Sequence, residues 1–502
     1  MVLTKVLDKV RVAKLFSTNF GAMAQTQEIH GSAIRYDSRT VKQNDLFVAI
    51  PGTATNGAKF ISDAIANGAS VVVMQDDTAM PDALFMHTRV VKLVVEDARL
   101  ALAQMAANFY GHPCEKMRVI GVTGTNGKTT TTHILKAALE AAGEKVGLLG
   151  TIAYDLGGEV VPATHTTPES VDLQKLLATM LERGCTSVVM EVSSHALTMR
   201  RVHAMRFAAG VFTNLTQDHL DYHGSMDAYR NAKKMLFDML PADAVAVVNA
   251  DDPASTALVA GTKARRVTYG VQGPADVTAA DVAMTVRGMT FSMVRGGRAV
   301  PVATPLTGRF NVANLLAAWT TLCELGVDPL KAAEGVGSLK AVRGRFEQIA
   351  APMGWTAIID YAHTPDALEN TLTAIRDLLP QGGQHRIITV FGCGGNRDKD
   401  KRPKMGRIAS TLSTITILTS DNPRLEDPQV ILDGIQAGVL PGRTVYMEPD
   451  RRRAIIKGLL LAEAGDVVLI AGKGHEDYQI VGTEKSHLDD REEVEMFIRN
   501  MK

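Results

Sequence analysis

Cysteine is scarce in this chain, and the four present, Cys114, Cys185, Cys323 and Cys393, show no paired spacing. That scatter argues against a zinc cage and against a disulfide framework, and it fits a reducing cytoplasm. Net charge is absent too: Lys plus Arg and Asp plus Glu are each 54. No global field therefore favours nucleic acid or an anionic membrane, and any anion site must be local. No apolar run approaches the roughly 18 residues of a membrane span. The N-terminus intersperses Lys5, Asp8, Lys9, Arg11 and Lys14 among short apolar groups, so a soluble, unexported protein is expected. Internal repeats, low-complexity tracts and long charge runs are lacking as well, which disfavours solenoids and disorder.

What is present is length and alternation. With 502 residues the chain exceeds one hydrophobic core and predicts about three units. Residues 1–96 hold short apolar strands at 46–50, 71–74 and 91–95 between Gly and Asn turns, which reads as a small α/β domain. Asp97 can cap a helix carrying Leu102, Met105, Ala106 and Phe109 at helical spacing, so a boundary is placed near 97. Residues 97–341 alternate strands (187–190, 207–212, 245–248) with helical patterns, predicting a central parallel sheet with helices on its faces. A third series, residues 342–502, has strands at 356–359, 386–391, 414–418, 444–447 and 466–470 and predicts a Rossmann-like unit.

The segment Gly121-Val-Thr-Gly124-Thr125-Asn126-Gly127-Lys128-Thr129-Thr130 stands between an apolar strand and a helical stripe, as a phosphate-gripping loop does. Glycines let backbone amides approach oxyanions, Lys128 reaches terminal phosphates, and the Thr129 hydroxyl suits magnesium. ATP is the expected substrate. The general pattern wants glycine five residues before Gly127, where this chain has Val122.

Open α/β sheets bind ligands beyond the carboxyl ends of their strands. Glu191 follows one strand and is placed like the acid that holds magnesium opposite a phosphate loop, with Ser193, Ser194 and His195 next. Another strand runs into Thr213-Asn214, then Asp218, His219, Asp221 and His223, and His219 is a candidate for metal or phosphate. Lys233 and Lys234 lie in a helical stretch where residue patterning alone makes both solvated. Asn311 and Asn314 open a helix and suit either an adenine edge or a cap. In the third unit Asp360 to Asp366, Gly392 to Asp398, Asp421 to Arg424 and Gly472 to Glu476 all follow strands, suggesting a second binding surface.

As a set, Thr123-Gly-Thr-Asn-Gly-Lys-Thr129, Glu191-Val-Ser-Ser-His195, Asp218-His-Leu-Asp-Tyr-His223, Asp360-Tyr-Ala-His363 and Asp421-Asn-Pro-Arg424 resemble the Mur ligases nearly end to end. The resemblance implies three domains: UDP-muramoyl-substrate binding in 1–96, ATP binding in 97–341, and amino-acid binding in 342–502. It implies ATP-dependent addition of meso-2,6-diaminopimelate to the γ-carboxylate of UDP-N-acetylmuramoyl-L-alanyl-D-glutamate by a cytoplasmic monomer. It further implies uridine-nucleotide contacts from Tyr36, Ser38 and the Thr53-Ala54-Thr55 turn, and contacts to the rest of that substrate from Thr166, Thr167, Ser193 and Arg201. The family often carries Asn before the threonine pair and Gln two residues before the arginine, whereas this chain has His165 and Met199. By the same resemblance Lys233 becomes carbamylated and joins Thr129, Glu191 and His219 about magnesium. Asn314, Asp360 and Arg345 then contact ATP, and Arg397, Asp421, Asn422, Pro423, Arg424, Gly472 and Glu476 receive diaminopimelate.

Overall fold

Three parallel-rich sheets divide the chain. The computed structural model describes residues 2–17, 33–52, 55–86, 88, 90–285, 288–380 and 385–501. The first sheet has five strands in the order Val12–Phe16, Val91–Val95, Val71–Met74, Leu46–Val48, Ile34–Arg35. Only its 12–16 edge runs antiparallel. The helix Ala98–Tyr110 begins where the Asp97 carboxylate accepts from the amides of Arg99 (2.9 Å) and Leu100 (3.1 Å), two donors that would otherwise be orphaned. Its Ala98, Ala101, Leu102, Met105 and Ala106 pack with Val48, Val73, Val91 and Leu93 of the first sheet. Burial of that stripe needs the sheet face beneath it, so the core of the first sheet includes this helix.

The second sheet carries eleven strands. At its centre Arg118–Thr123 lies between Ser187–Glu191 and Ala209–Phe212, with Val146–Leu149, Val245–Asn249 and Arg265–Gly270 outside them, all parallel. Helices Lys128–Ala141 and Arg309–Glu324 cover one face through Ile134, Leu135, Leu315 and Trp319. Ser170–Glu182 and Met226–Asp238 cover the other through Leu173, Leu177, Leu236 and Phe237. Each such side chain contributes about 1.5–3 kcal/mol by leaving water. Strand order diverges on either side of 118–123, a switch point that opens a crevice at its carboxyl end. The strands Val277–Thr285, Gly288–Arg295 and Arg298–Thr304 add an antiparallel meander that the parallel-sheet expectation lacked. Its signal was Gly296-Gly297 between alternating runs: both adopt positive φ, +54° and +76°, as a tight hairpin turn requires.

The third sheet runs Glu347–Ala350, Thr356–Asp360, Val467–Ala471, Ile387–Phe391, Ile415–Leu418, Thr444–Met447, parallel after its first pair. Helices Pro365–Leu378, Lys401–Leu412 and Pro428–Gln436 cover one face; Arg451–Leu460 and Asp490–Asn500 cover the other. Among the described residues no helix is long and apolar enough to cross a membrane.

Candidate functional site

A cavity of about 920 Å³ opens at the carboxyl end of strand 118–123, between the second and third units. The loop 124–127 forms its floor, and two glycines there are dictated by space. A Cβ on Gly124 (φ +152°) would stand 1.9 Å from Thr213 Oγ1, and one on Gly127 (φ +84°) 2.5 Å from Asn314 Oδ1. The loop is held from behind. Thr213 Oγ1 donates to the Asn126 carbonyl (2.6 Å), and the Asn126 amide donates to Asn214 Oδ1 (2.8 Å). Lys128 folds its ammonium onto the carbonyls of Gly124 (2.9 Å) and Thr125 (2.8 Å); burial pushes its pKa down. Thr129 and Thr130 are buried at the start of the helix. Thr129 Oγ1 accepts from Arg345 Nη2 of the third unit at 3.2 Å.

Glu191 is fully buried at the end of its strand. Both its oxygens take hydrogen bonds from Thr151, the amide at 2.8 Å and the hydroxyl at 3.1 Å. His219 has a left-handed backbone (φ +52°) and packs 4.9 Å from the His195 ring. Burial lowers its pKa to about 4, which leaves a neutral imidazole with a lone pair. Thr129, Glu191 and His219 all line the cavity. Among the described residues no three His, Cys, Asp or Glu side chains form a cation cage. That donor set fits magnesium, which takes one or two protein oxygens and completes its shell with phosphate and water.

Lys233 departs from the solvated reading. It is 1% exposed, its Nζ donates to the Gly124 carbonyl at 2.8 Å, and it stands 4.2 Å over the Tyr229 ring. Burial, reinforced by Lys128, holds its pKa well below the usual lysine range. The helix 226–238 turns this position inward with Tyr229, Ala232, Leu236 and Phe237, a stripe that the intervening polar residues disguised. Lys234 is the outward neighbour and pairs with Asp238.

Asn314 is buried against the loop, its Oδ1 accepting from Thr131 Oγ1 (3.3 Å) and its Nδ2 donating to Asn311 Oδ1 (3.0 Å). Asp360 accepts from the Phe346 amide (2.7 Å) and Thr371 Oγ1 (3.2 Å), and burial raises its pKa. Arg345 stacks 4.4 Å over Tyr361. Sequence reading gave no role to Asp366. Its Oδ2 accepts from Asn126 Nδ2 (2.8 Å) and Thr216 Oγ1 (3.1 Å), tying the third unit to the phosphate loop. Its place in the polar turn after Asp360 was the available signal.

The remaining candidates fall into two groups. Tyr36 donates to Asp172 Oδ2 at 2.6 Å, Ser38 is buried, and the Thr55 carbonyl accepts from the Gly52 amide; Thr53 and Ala54 lie outside the described residues. Nearer the cavity, Thr166 pairs with Thr151 (3.1 Å), and Thr167 Oγ1 donates to the Glu191 carbonyl (2.8 Å) and accepts from the Ser193 amide (3.1 Å). Arg201 donates to the Thr167 carbonyl (3.0 Å) and Glu169 Oε2 (3.2 Å), and its Nη2 touches the Met199 sulfur at 3.5 Å. The His165 carbonyl accepts from Tyr154 OH at 2.6 Å.

At the carboxyl edge of the third sheet, the 421–424 and 472–476 turns meet. Asn422 Nδ2 donates to Glu476 Oε2 at 2.9 Å, while Arg424 Nη1 donates to the carbonyls of Gly395 (2.9 Å) and Asn422 (3.4 Å). Gly472 (φ +113°) leaves room for Asp421 Oδ2, which a Cβ would approach to 2.8 Å. Pro423 lies within this turn, and Arg397 is exposed beside it. Beneath both turns, Arg451 and Asp490 form an ion pair at 2.7 Å, each side chain 0% exposed. Arg451 also donates to the carbonyls of Ser420 (3.3 Å) and Ala471 (3.0 Å).

A phosphate loop at a switch point, facing a third α/β unit with its own polar edge, defines an ATP-dependent ligase of the Mur class, and the chain belongs to the Mur ligase family. Models of the Mur ligase family catalytic domain, the Mur ligase middle domain and the Mur ligase glutamate ligase domain match residues 28–110, 122–322 and 344–474. It is 46% identical to the UDP-N-acetylmuramoyl-L-alanyl-D-glutamate--2,6-diaminopimelate ligase of Gloeobacter violaceus, over 93% of this chain and 94% of that one. The protein of the same name from Geobacter metallireducens is 44% identical over 93% of each. A solved structure of a ligase of that name superposes with a TM-score of 0.66 at 32% identity, covering 93% of this chain and 95% of that chain. The MurF ligase of Thermotoga maritima in complex with ADP shares the fold, with a TM-score of 0.63 at 20% identity over 95% of this chain and 99% of that one.

Proposed function

We propose that this protein joins meso-2,6-diaminopimelate to the D-glutamyl γ-carboxylate of UDP-N-acetylmuramoyl-L-alanyl-D-glutamate, at the expense of ATP, in peptidoglycan precursor synthesis. The observation that carries this reading is the pairing of the phosphate-loop cavity with the Arg424-bearing turn on one chain. The acceptor carboxylate attacks the γ-phosphorus of ATP to give an acyl phosphate and ADP. The amine of diaminopimelate then attacks the acyl carbon, and the tetrahedral intermediate expels phosphate.

Lys128 leaves the loop carbonyls for the β- and γ-phosphates, and Arg345 adds a cation from the third unit, where dry walls strengthen both. Asn314 and Asp360 border the nucleotide. Magnesium, which Thr129, Glu191, His219 and a carbamate on Lys233 would hold, supplies neutralisation of the triphosphate when bound. Lys233 suits carbamylation because burial favours the neutral amine, the form that adds carbon dioxide and then loses a proton. Tyr36, Ser38, Thr166, Thr167, Ser193 and Arg201 hold the UDP-linked substrate, the arginine by its bidentate fork. Arg397, Asn422, Arg424 and Glu476 read the distal carboxylate and ammonium of diaminopimelate, a pair that lysine lacks. Asp366 and Arg345 draw the third unit onto the loop and exclude water that would hydrolyse the acyl phosphate. A reducing cytoplasm supplies ATP, and the four free cysteines support that compartment. A monomer suffices, since loop, metal candidates and amine site come from one chain.

Incubation with ATP, magnesium, the UDP-muramoyl dipeptide and diaminopimelate should yield the lengthened nucleotide by mass, with little product from lysine. ATP turnover without amide product would refute the proposal.

A further inference from the structure

Lys473 is a charged side chain with no solvent exposure, and nothing in the reaction above uses it. Its Nζ lies 3.2 Å from Glu476 Oε2 and 3.3 Å from Asn422 Oδ1, with the Tyr478 ring centroid at 5.3 Å. A buried ammonium is tolerated only where oxygens and a counter-charge compensate its lost hydration. Here both compensating side chains belong to the turns that meet at the amine site. Asn422 Oδ1 also accepts from the Ile480 amide (3.0 Å), and Glu476 Oε2 also accepts from Asn422 Nδ2 (2.9 Å). Glu476 is thereby held by one oxygen, with Oε1 free of protein donors among the described residues and the side chain 16% exposed.

The charges around these turns can be counted. Arg397, Arg424 and Lys473 lie around these turns with Asp421, Glu476 and Asp477, three cations with three carboxylates, and of the three cations only Lys473 is buried. The neighbouring Arg451 and Arg402 are already neutralised by Asp490 and Glu426. Without Lys473 the same set would be net negative. The distal end of diaminopimelate is a zwitterion, whereas that of lysine is a bare cation, so the positive charge that keeps the set from being net negative favours the former and disfavours the latter.

We propose that Lys473 is a specificity-determining positioning residue: it orients Glu476 through its Oε2 and supplies the buried positive charge that makes the site select an amine substrate bearing a second carboxylate over one bearing none. This rests on reading the 421–424 turn as the amine-substrate site. Lys473 itself reaches the ligand through Glu476 and Asn422 and through its field.

The test is internal competition. Full-length protein is given ATP, magnesium and the UDP-muramoyl dipeptide with an equimolar mixture of diaminopimelate and L-lysine, and the two products are weighed by mass spectrometry. Lys473→Gln should shift the product ratio toward lysine by about tenfold, the scale of one screened unit charge several ångströms away, while the ATP KM stays at its wild-type value. Adding Lys473→Gln to Glu476→Gln leaves no lone buried charge and no carboxylate to orient; the ratio should still move toward lysine, by the smaller step that the field alone gives. An unchanged ratio in either comparison overturns the inference, since a merely structural lysine would alter yield and stability without altering choice. Absence of diaminopimelate product from the wild-type protein would instead overturn the functional reading, and this inference with it.

Discussion

Replacing Arg451 by methionine tests how the proposed amine site is built. The guanidinium is 0% exposed and gives two bonds to Asp490, which is equally buried, and one each to the carbonyls of Ser420 and Ala471. Those carbonyls immediately precede Asp421 and Gly472, so one side chain ties both turns to the sheet. Removing it strands a carboxylate out of water, a loss of about 3–5 kcal/mol. At an m-value of about 2 kcal/mol/M for urea, the third unit's unfolding midpoint should fall by roughly 2 M. The assay can isolate that unit, because the chain has two tryptophans, Trp319 in the core of the second unit and Trp355 in that of the third. In a Trp319→Phe background, fluorescence reports Trp355 alone, which avoids treating a three-unit protein as two-state. Arg451→Met/Asp490→Leu, with the charge removed from both sides, should recover most of the loss, yet leave the diaminopimelate KM raised because the carbonyl ties remain absent. A midpoint shift below about 0.5 M for the single variant, or a double variant no more stable than the single, would refute the reasoning.

Lys128→Met should reduce kcat/KM for ATP by roughly 100- to 1000-fold, the range for losing one charge-stabilising donor, measured by coupled ADP release with the fold checked by circular dichroism. Asp366→Ala removes two hydrogen bonds between units; kcat should fall about tenfold at about 0.5–1.5 kcal/mol per bond, with product tracked at saturating substrates, and an unaltered kcat would count against closure. His475 has its pKa pushed down to about 3 by burial and then by Arg345 and Arg343. The unfolded chain therefore binds more protons between about pH 3 and pH 6.5, so its contribution is fully present above 6.5 and is lost as pH falls toward 3. His475→Gln should flatten the pH dependence of urea stability in that window, by up to about 1.4 kcal/mol per pH unit.

Local chemistry written in consecutive residues was legible without coordinates. A strand, a Gly-Lys-Thr turn and a helical stripe must place amides and Lys128 together, because the chain cannot separate them. Strand runs ending in Glu191, Asp360, Asp421 and Gly472 likewise announce an edge of the sheet where ligands meet polar groups. What came only from the tertiary structure depends on elements far apart in sequence. Lys233 looks solvated until helix 226–238 packs it behind Gly124. Helix 98–110 joins the first core because the apolar face waiting for its stripe lies there. Lys473 acquires meaning only when the 421–424 and 472–476 turns are brought side by side. Periodicity along a chain specifies which face of an element must be buried, but the partner that buries it, and so the charge a buried group will feel, is decided by the assembled fold.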